Sequence, residues 1–472
     1  MKNTRYKKVL LVEFNELTHR LIEQWTASGD LPNFKRLSNQ STRYVTEPDV
    51  TEARLMEPWI QWYSLHTGLS YNQHGVFHLT DGLTARDESM FSIVQKAGHS
   101  VGIFGCMNQP SVVSEGGFYV SDPWCATESA HPKQLNTFQS FIAQNVLEYS
   151  RPDGNDGKVS STEFISFMLR NGLTSRTIVK AVKQLAGEKL VDKVSRWKRV
   201  EILDWLNLDV FFKLYEERNP KLAAFFSNST AHLQHTYWRD MDPAPFTVKP
   251  EAEHQEEFKD AILFGYKNMD KMLGTILDRV AKDTLVIFAT ALGQQPFLKK
   301  EATGGQIFYR LKNPEDFLKG AGISNFELLP VMTHQYKISL KSAEDADDAV
   351  HKLRSFTIEG QPLFVVHHKE SSSELLIGAL VSKQVPVGGL FESNGLKQSF
   401  SDVFYLLEGM KSGCHHPEGM LWIANGQSVD AGFCSILDVM PTVLGALGLE
   451  NQIPNACKGK DLGVESGLQL AA

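Results

Sequence analysis

A chain of 472 residues, 42% hydrophobic and 22% charged, is long enough for one large α/β domain with insertions, or for two or three modest domains with separate cores. Its net charge of −7 excludes a general affinity for polyanions, so no nucleic acid polymer is expected as a partner and only a local basic patch stays open. Five scattered cysteines without a CxxC pair argue against a disulfide framework or a thiolate zinc site, and suit a reducing compartment.

The first eight residues are basic, but the apolar run Val9–Val12 stops at Glu13, far short of a signal-peptide core or a membrane span. The expectation is a cytoplasmic protein with no membrane span. Four consecutive aliphatic residues ending in a carboxylate predict a buried parallel strand, with Glu13 delivered to its C-terminal edge, where open α/β sheets place their sites. Leu17–Ser28 and Met90–Ala97 then read as helices, with Gly98 stopping the second, and Val101–Phe104 as a short buried strand.

Between Pro132 and Pro220 the period becomes helical, with Phe164–Leu173 and Arg176–Leu185 the clearest stretches and a Gly/Asp-rich break at 151–157; this predicts a helical cap insertion. Strands Leu222–Phe226 and Thr284–Ala289 resume the sheet, separated by one long helix from Pro250 to Val280. From Pro314 to Gln398 a strand, helix, strand, strand pattern predicts a small α+β insertion over the site, with strands at 335–340, 361–368 and 374–380. A strand from Gly419 and a helix from Ser435 to Leu447 close the chain. The expected division is core α/β at 1–131, 221–313 and 399–472, helical insertion at 132–220, and α+β insertion at 314–398.

Four groups of residues carry candidate chemistry. After the strand Leu222–Phe226, His232 and His235 at i, i+3 share a helix face one turn beyond Asn228, an arrangement that suits zinc, iron or manganese, or else only a polar cap. The turn Gly413–Gly419 contains His415 and His416, of which one points inward, or it is a surface turn. At the N-terminal edge Glu13 has the best claim to bind a cation or act as general base, while Asn15 and Glu16 suit helix capping. In Glu57–Gly68, Pro58 starts a helix and Gly68 ends it, so Glu57 stands at a helix N-terminus, either as a cap or where a phosphate-handling enzyme holds its reactive group. Gln61 and His66 lie on the same segment.

In order, Leu31-Pro32-Asn33-Phe34, Ser64-Leu65-His66-Thr67-Gly68 with His74-Gly75, Asn228-x-x-x-His232, Thr290-Ala291-Leu292-Gly293, His415–Gly419 and Asp438–Thr442 resemble the alkaline phosphatase superfamily. The resemblance is to its type I phosphodiesterase/nucleotide pyrophosphatase branch and sulfatase relatives, and it leaves both insertions unmatched. It implies a mostly parallel central sheet flanked by helices. It also implies two metal sites: one becomes Asn228, His232 and His415; the other becomes Glu13 with Ala291 and Leu292, so two of its ligands are absent. The nucleophile position falls on Pro58 or Met56, neither of which attacks phosphorus, and Glu57 is the one reactive side chain between them.

The expectation is therefore an atypical hydrolase or group-transfer enzyme acting on a phosphate, sulfate or phosphodiester of a small molecule or glycan. One divalent ion, zinc, manganese or iron, would sit on Asn228, His232 and His415. Glu13, Glu57 and His66 would be catalytic, and Asn15, Gln61, His235 and His416 would bind substrate. The alternative is a non-catalytic protein of the same fold that binds a phosphorylated sugar, nucleotide or protein partner.

Overall fold

The computed structural model describes residues 6–125, 127–147, 159–190, 194–329, 331, 334–381, 383–407 and 410–463. The predicted break at 151–157 lies outside them. Eight strands form the main sheet: β1 (Lys8–Phe14), β2 (Thr42–Glu47), β3 (Val101–Phe104), β4 (Phe118–Val120), β5 (Leu222–Ser227), β6 (Thr284–Thr290), β7 (Gly419–Ile423) and β8 (Val429–Ser435). Their order is β8-β2-β7-β6-β1-β5-β3-β4. All neighbours run parallel except β7, which is antiparallel to both β2 and β6.

The run Val9–Phe14 is buried on both faces, as a central parallel strand requires. Val9 pairs with Leu222 on one side and Leu285 on the other. Alternation then sorts the side chains. Leu10, Val12 and Phe14 join one hydrophobic cluster, and Val9 and Leu11 join the other.

The helices at Ser161–Arg170, Ser175–Leu190 and Val200–Arg218 occupy most of the predicted helical insertion. Phe164, Met168, Trp205 and Phe211 belong to the same cluster as Phe225 of β5, so this segment is layered onto one face of the sheet. Residues Tyr309 to Phe404 instead have a hydrophobic cluster of their own. There the strands Phe364–His368, Glu374–Ala379, Tyr336–Ser339 and Glu327–Leu329 form a sheet in that order. The predicted long helix at 250–280 is two helices, Ala252–Phe258 and Ala261–Arg279, interrupted at Lys259 and Asp260. Among the described residues no helix is long and apolar enough to cross a membrane.

Candidate active site

The C-terminal ends of β1 and β5 and the turn after β6 meet at one edge of the sheet. Beyond β1 the chain turns through Asn15 and Glu16, both buried. Glu16 has φ +60°, in the left-handed region where a side chain costs about 1–2 kcal/mol. Strain of this kind persists where surrounding contacts over-determine it, and here they do. The Gln234 amide donates to the Glu16 carbonyl at 2.8 Å, Asn15 Nδ2 donates to Glu16 Oε1 at 2.8 Å, and Gln294 Nε2 donates to Oε2. Asn15 is fixed in turn, accepting from Trp62 Nε1 at 2.7 Å and donating to Asn228 Oδ1 at 2.6 Å.

Two imidazoles converge on that carboxylate. Glu16 Oε2 lies 3.0 Å from His235 Nε2 and 3.5 Å from His415 Nε2. His235 comes from the Ser229–Met241 helix that follows β5. His415 comes from a short strand, Gly413–His416, paired antiparallel with Gly293–Pro296 so that His415 faces Gln294 in register. Gly413 permits this approach: a Cβ there would lie 2.4 Å from the Gln234 carbonyl oxygen. The Gly413 carbonyl accepts from His235 Nδ1 at 3.2 Å, which assigns the proton to Nδ1 and turns Nε2 toward Glu16.

Burial raises the Glu16 carboxyl, but the charges of His415 and His235 and the hydrogen bonds from His235 and Gln294 outweigh it and hold the pKa at about 2. Burial lowers His235, and the Glu16 charge and hydrogen bond reverse this to a net upward shift. His415 is pushed down to about 4, chiefly by burial. Glu57 caps the Pro58–Thr67 helix with its Oε2 3.6 Å from His415 Nδ1. Burial and the Glu16 charge push its pKa up to about 7 against the opposing pull of Lys411 and His235.

The remaining predicted site residues are distributed differently. Glu13 and His66, expected in the cleft, are fully buried and bonded to each other at 2.7 Å. Glu13 pairs with Phe226 and Ala289 inside the sheet, so it stops short of the edge, and its odd position turns it into the core beside His66 and Cys106. Asn15 and Gln61 are buried, Asn15 holding the turn as described and Gln61 donating to the Leu55 carbonyl at 3.3 Å. His416 Nδ1 accepts from the Glu418 amide at 3.2 Å, closing its own turn. Asn228 caps the Ser229–Met241 helix, and His232 is exposed.

Among the described residues two groups of His, Cys, Asp and Glu bring ligand atoms within 4.8 Å of one another: Glu16, His235 and His415, and Glu13, His66 and Cys106. His232 joins neither. The two-metal donor set implied by the resemblance does not fit, because Ala291 and Leu292 are buried and apolar and Glu13 is engaged with His66. One ion on Glu16, His235 and His415 does fit. Donor separations of 3.0 and 3.5 Å are those of neighbouring ligands around a small cation with bonds of about 2.1 Å, and two histidines with a carboxylate form a recognised divalent-metal set. The sequence marks Glu16 only as a candidate cap; it stands two positions after the strand's last residue, Phe14, where the turn takes a left-handed conformation that no residue type here announces.

Residues 9–370 match the type I phosphodiesterase / nucleotide pyrophosphatase family. No curated protein sequence matches the chain. Among solved structures, murine ectonucleotide pyrophosphatase/phosphodiesterase 5 is similar over 94% of this chain and 95% of its own, at 12% identity and a TM-score of 0.40. An inactive form of it in complex with AMP gives the same coverage and identity at 0.41. Phosphonoacetate hydrolase from Sinorhizobium meliloti, in complex with phosphonoformate, is similar over 94% and 96% of the two chains at 11% identity and 0.42. On the family match across most of its length, this chain belongs to the type I phosphodiesterase / nucleotide pyrophosphatase family of phosphoric-ester hydrolases.

Proposed function

We propose that the protein hydrolyses a phosphate ester or phosphodiester of a small molecule or glycan, using a single divalent cation on Glu16, His235 and His415 and Glu57 as the proton-transfer group. The observation that carries this reading is the convergence of those four side chains, from four separate segments, at the sheet edge. Members of the family are typically metal-dependent, and this donor set departs from the family pattern by recruiting Glu16 and His235 in place of Asn228 and His232.

When bound, the ion would polarise a phosphoryl oxygen and acidify a water molecule. The chain supplies the rest. Glu16 would offset one of the ion's two positive charges, and it is prevented from turning away by Asn15, Gln234 and Gln294. His235 keeps its Nδ1 proton on the Gly413 carbonyl, which leaves Nε2 free to donate its lone pair. Glu57, at the N-terminus of its helix and 3.6 Å from His415 Nδ1, is placed to take a proton from the attacking water and return one to the leaving oxygen. Lys411, held over the Phe297 ring at 4.6 Å, adds positive charge on the Glu57 side of the cleft.

Elemental analysis of untagged protein, alongside turnover of a panel of phosphate mono- and diesters, tests this. About one zinc, manganese or iron per chain is expected, lost in Glu16→Gln and His235→Ala and retained in His232→Ala. Equal metal in the wild type and Glu16→Gln overturns the ligand assignment. Absence of both metal and turnover returns the weight to a binding role.

A further inference from the structure

The helical segment carries charge of opposite sign to the chain as a whole. Residues 161–199 contain nine Lys and Arg against three Asp and Glu, a surplus of six positive charges in a protein of net charge −7. Asymmetry of this size marks a surface that meets an anionic partner.

The Ser175–Leu190 helix shows how that surface is built. At 3.6 residues per turn, Ile178, Val182, Leu185 and Lys189 share one face, while Arg176, Lys180 and Lys183 lie on nearly the opposite side, with Val179 between the two rows. Thr177 and Glu188 face inward. Ile178, Val179, Val182 and Leu185, together with Ile165 and Leu169 of the Ser161–Arg170 helix, are between 42% and 66% exposed. An apolar row this open is expected to have a partner. Beside Val179 lies a cleft of about 610 Å³ lined by Arg176, Lys180, Lys183, Lys198, Lys271 and Glu201, in which Lys180 pairs with Glu201 and Arg176 donates to Thr275 Oγ1 at 2.9 Å. Lys183 and Lys189 form no ion pair among the described residues.

We propose that this face docks on the surface of an anionic lipid membrane, with the apolar row entering the headgroup boundary and the flanking cations meeting lipid phosphates. A face that pairs an exposed apolar row with Lys and Arg is the pattern of a helix lying in the plane of a membrane interface. Self-association through the same face would set its positive surplus against an identical one. The helix lies on the membrane and does not cross it, in keeping with the absence of a spanning helix among the described residues. Nothing in this proposal depends on the chemistry at Glu16.

Co-sedimentation of the full chain with vesicles of phosphatidylcholine, alone or mixed with phosphatidylglycerol, tests it. Binding is expected only to the mixed vesicles and is expected to fall with salt. Each surface cation removed should cost about fivefold in vesicle affinity, so Lys183→Ala with Lys189→Ala should bind roughly 25-fold more weakly. Val182→Ser with Leu185→Ser should also weaken binding, and both double variants should keep the wild-type circular-dichroism spectrum and melting temperature, which shows that they fold. The proposal is overturned if the wild type ignores anionic vesicles, binds neutral ones equally, or binds no better than the lysine variant. It is also overturned if sedimentation velocity shows a dimer that Val182→Ser with Leu185→Ser abolishes, since the face would then belong to a second copy.

Discussion

Glu57 is the residue whose setting matches its proposed task most directly. At a helix N-terminus and 3.6 Å from His415, its carboxyl is placed to take and return a proton beside the ion. Glu57→Gln keeps size and hydrogen bonding while removing that capacity, so turnover should fall by about 10²–10⁴-fold with metal content unchanged. Steady-state assays paired with elemental analysis check this, and a variant of wild-type rate would remove Glu57 from the mechanism. The sequence points to Glu57 through the Pro58 and Gly68 that bound its helix, and to one inward histidine in the turn before a buried strand, with His415 singled out only by the family resemblance. Glu13 was favoured over Glu16 because the strand's last residue could not be located from an apolar run alone. The strand extends through Phe14, so Glu13 still alternates into the core, and Glu16 reaches the cleft because the chain turns beyond the strand.

At the scale of elements, the helix that carries His235 is anchored from its far end. Arg239 donates from Nη2 to Glu301 Oε1 at 2.7 Å and from Nη1 to Oε2 at 3.1 Å, with both residues buried. Glu301 also accepts from the amides of Thr247 and Val248 at 2.8 and 3.0 Å. Removing one partner strands a buried charge. Glu301→Ala should therefore cost about 3–5 kcal/mol, whereas Arg239→Met with Glu301→Leu should cost much less. Denaturant midpoints of the two variants decide it; equal losses would mean that the pair is not the source of the stability. Most elements could be read from periodicity and stops, including the Met90–Lys96 helix before Gly98 and strands β1, β5 and β6. The interruption at Lys259 and Asp260 could not, because both residue types also occur inside helices and neither is a Gly or Pro that would mark a stop.

The whole molecule registers pH through a carboxyl buried between the sheet and the helical layer. Asp204 accepts from Ser227 at 2.9 Å, Ser229 at 2.6 Å and Asn268 at 2.7 Å, yet burial pushes its pKa up to about 7. A carboxyl with a raised folded pKa binds its proton more tightly in the folded state. Its contribution is full below the unfolded value near 4 and is lost as pH rises through about 7, on the order of 4 kcal/mol in all. Asp204→Asn should flatten the decline in melting temperature between pH 5 and pH 8 (about the range bracketing that loss), and an unchanged slope would assign the decline to other groups. The overall architecture was legible because a parallel sheet needs strands buried on both faces, and those appear as continuous aliphatic runs. The layering of the helical segment on the sheet was not, since periodicity shows that a helix has an apolar face without showing what covers it.

The placement of β1 at the centre of the sheet has a consequence for synthesis on the ribosome. Its partners begin at Leu222 and Thr284, so the most apolar strand of the N-terminal region leaves the exit tunnel long before either neighbour exists. At roughly 5–20 residues per second, β1 waits on the order of 15–55 s for its second partner. During that interval the nascent chain presents an unpaired hydrophobic edge, which makes it a client for chaperones that shield such segments and a source of aggregation when translation outruns them.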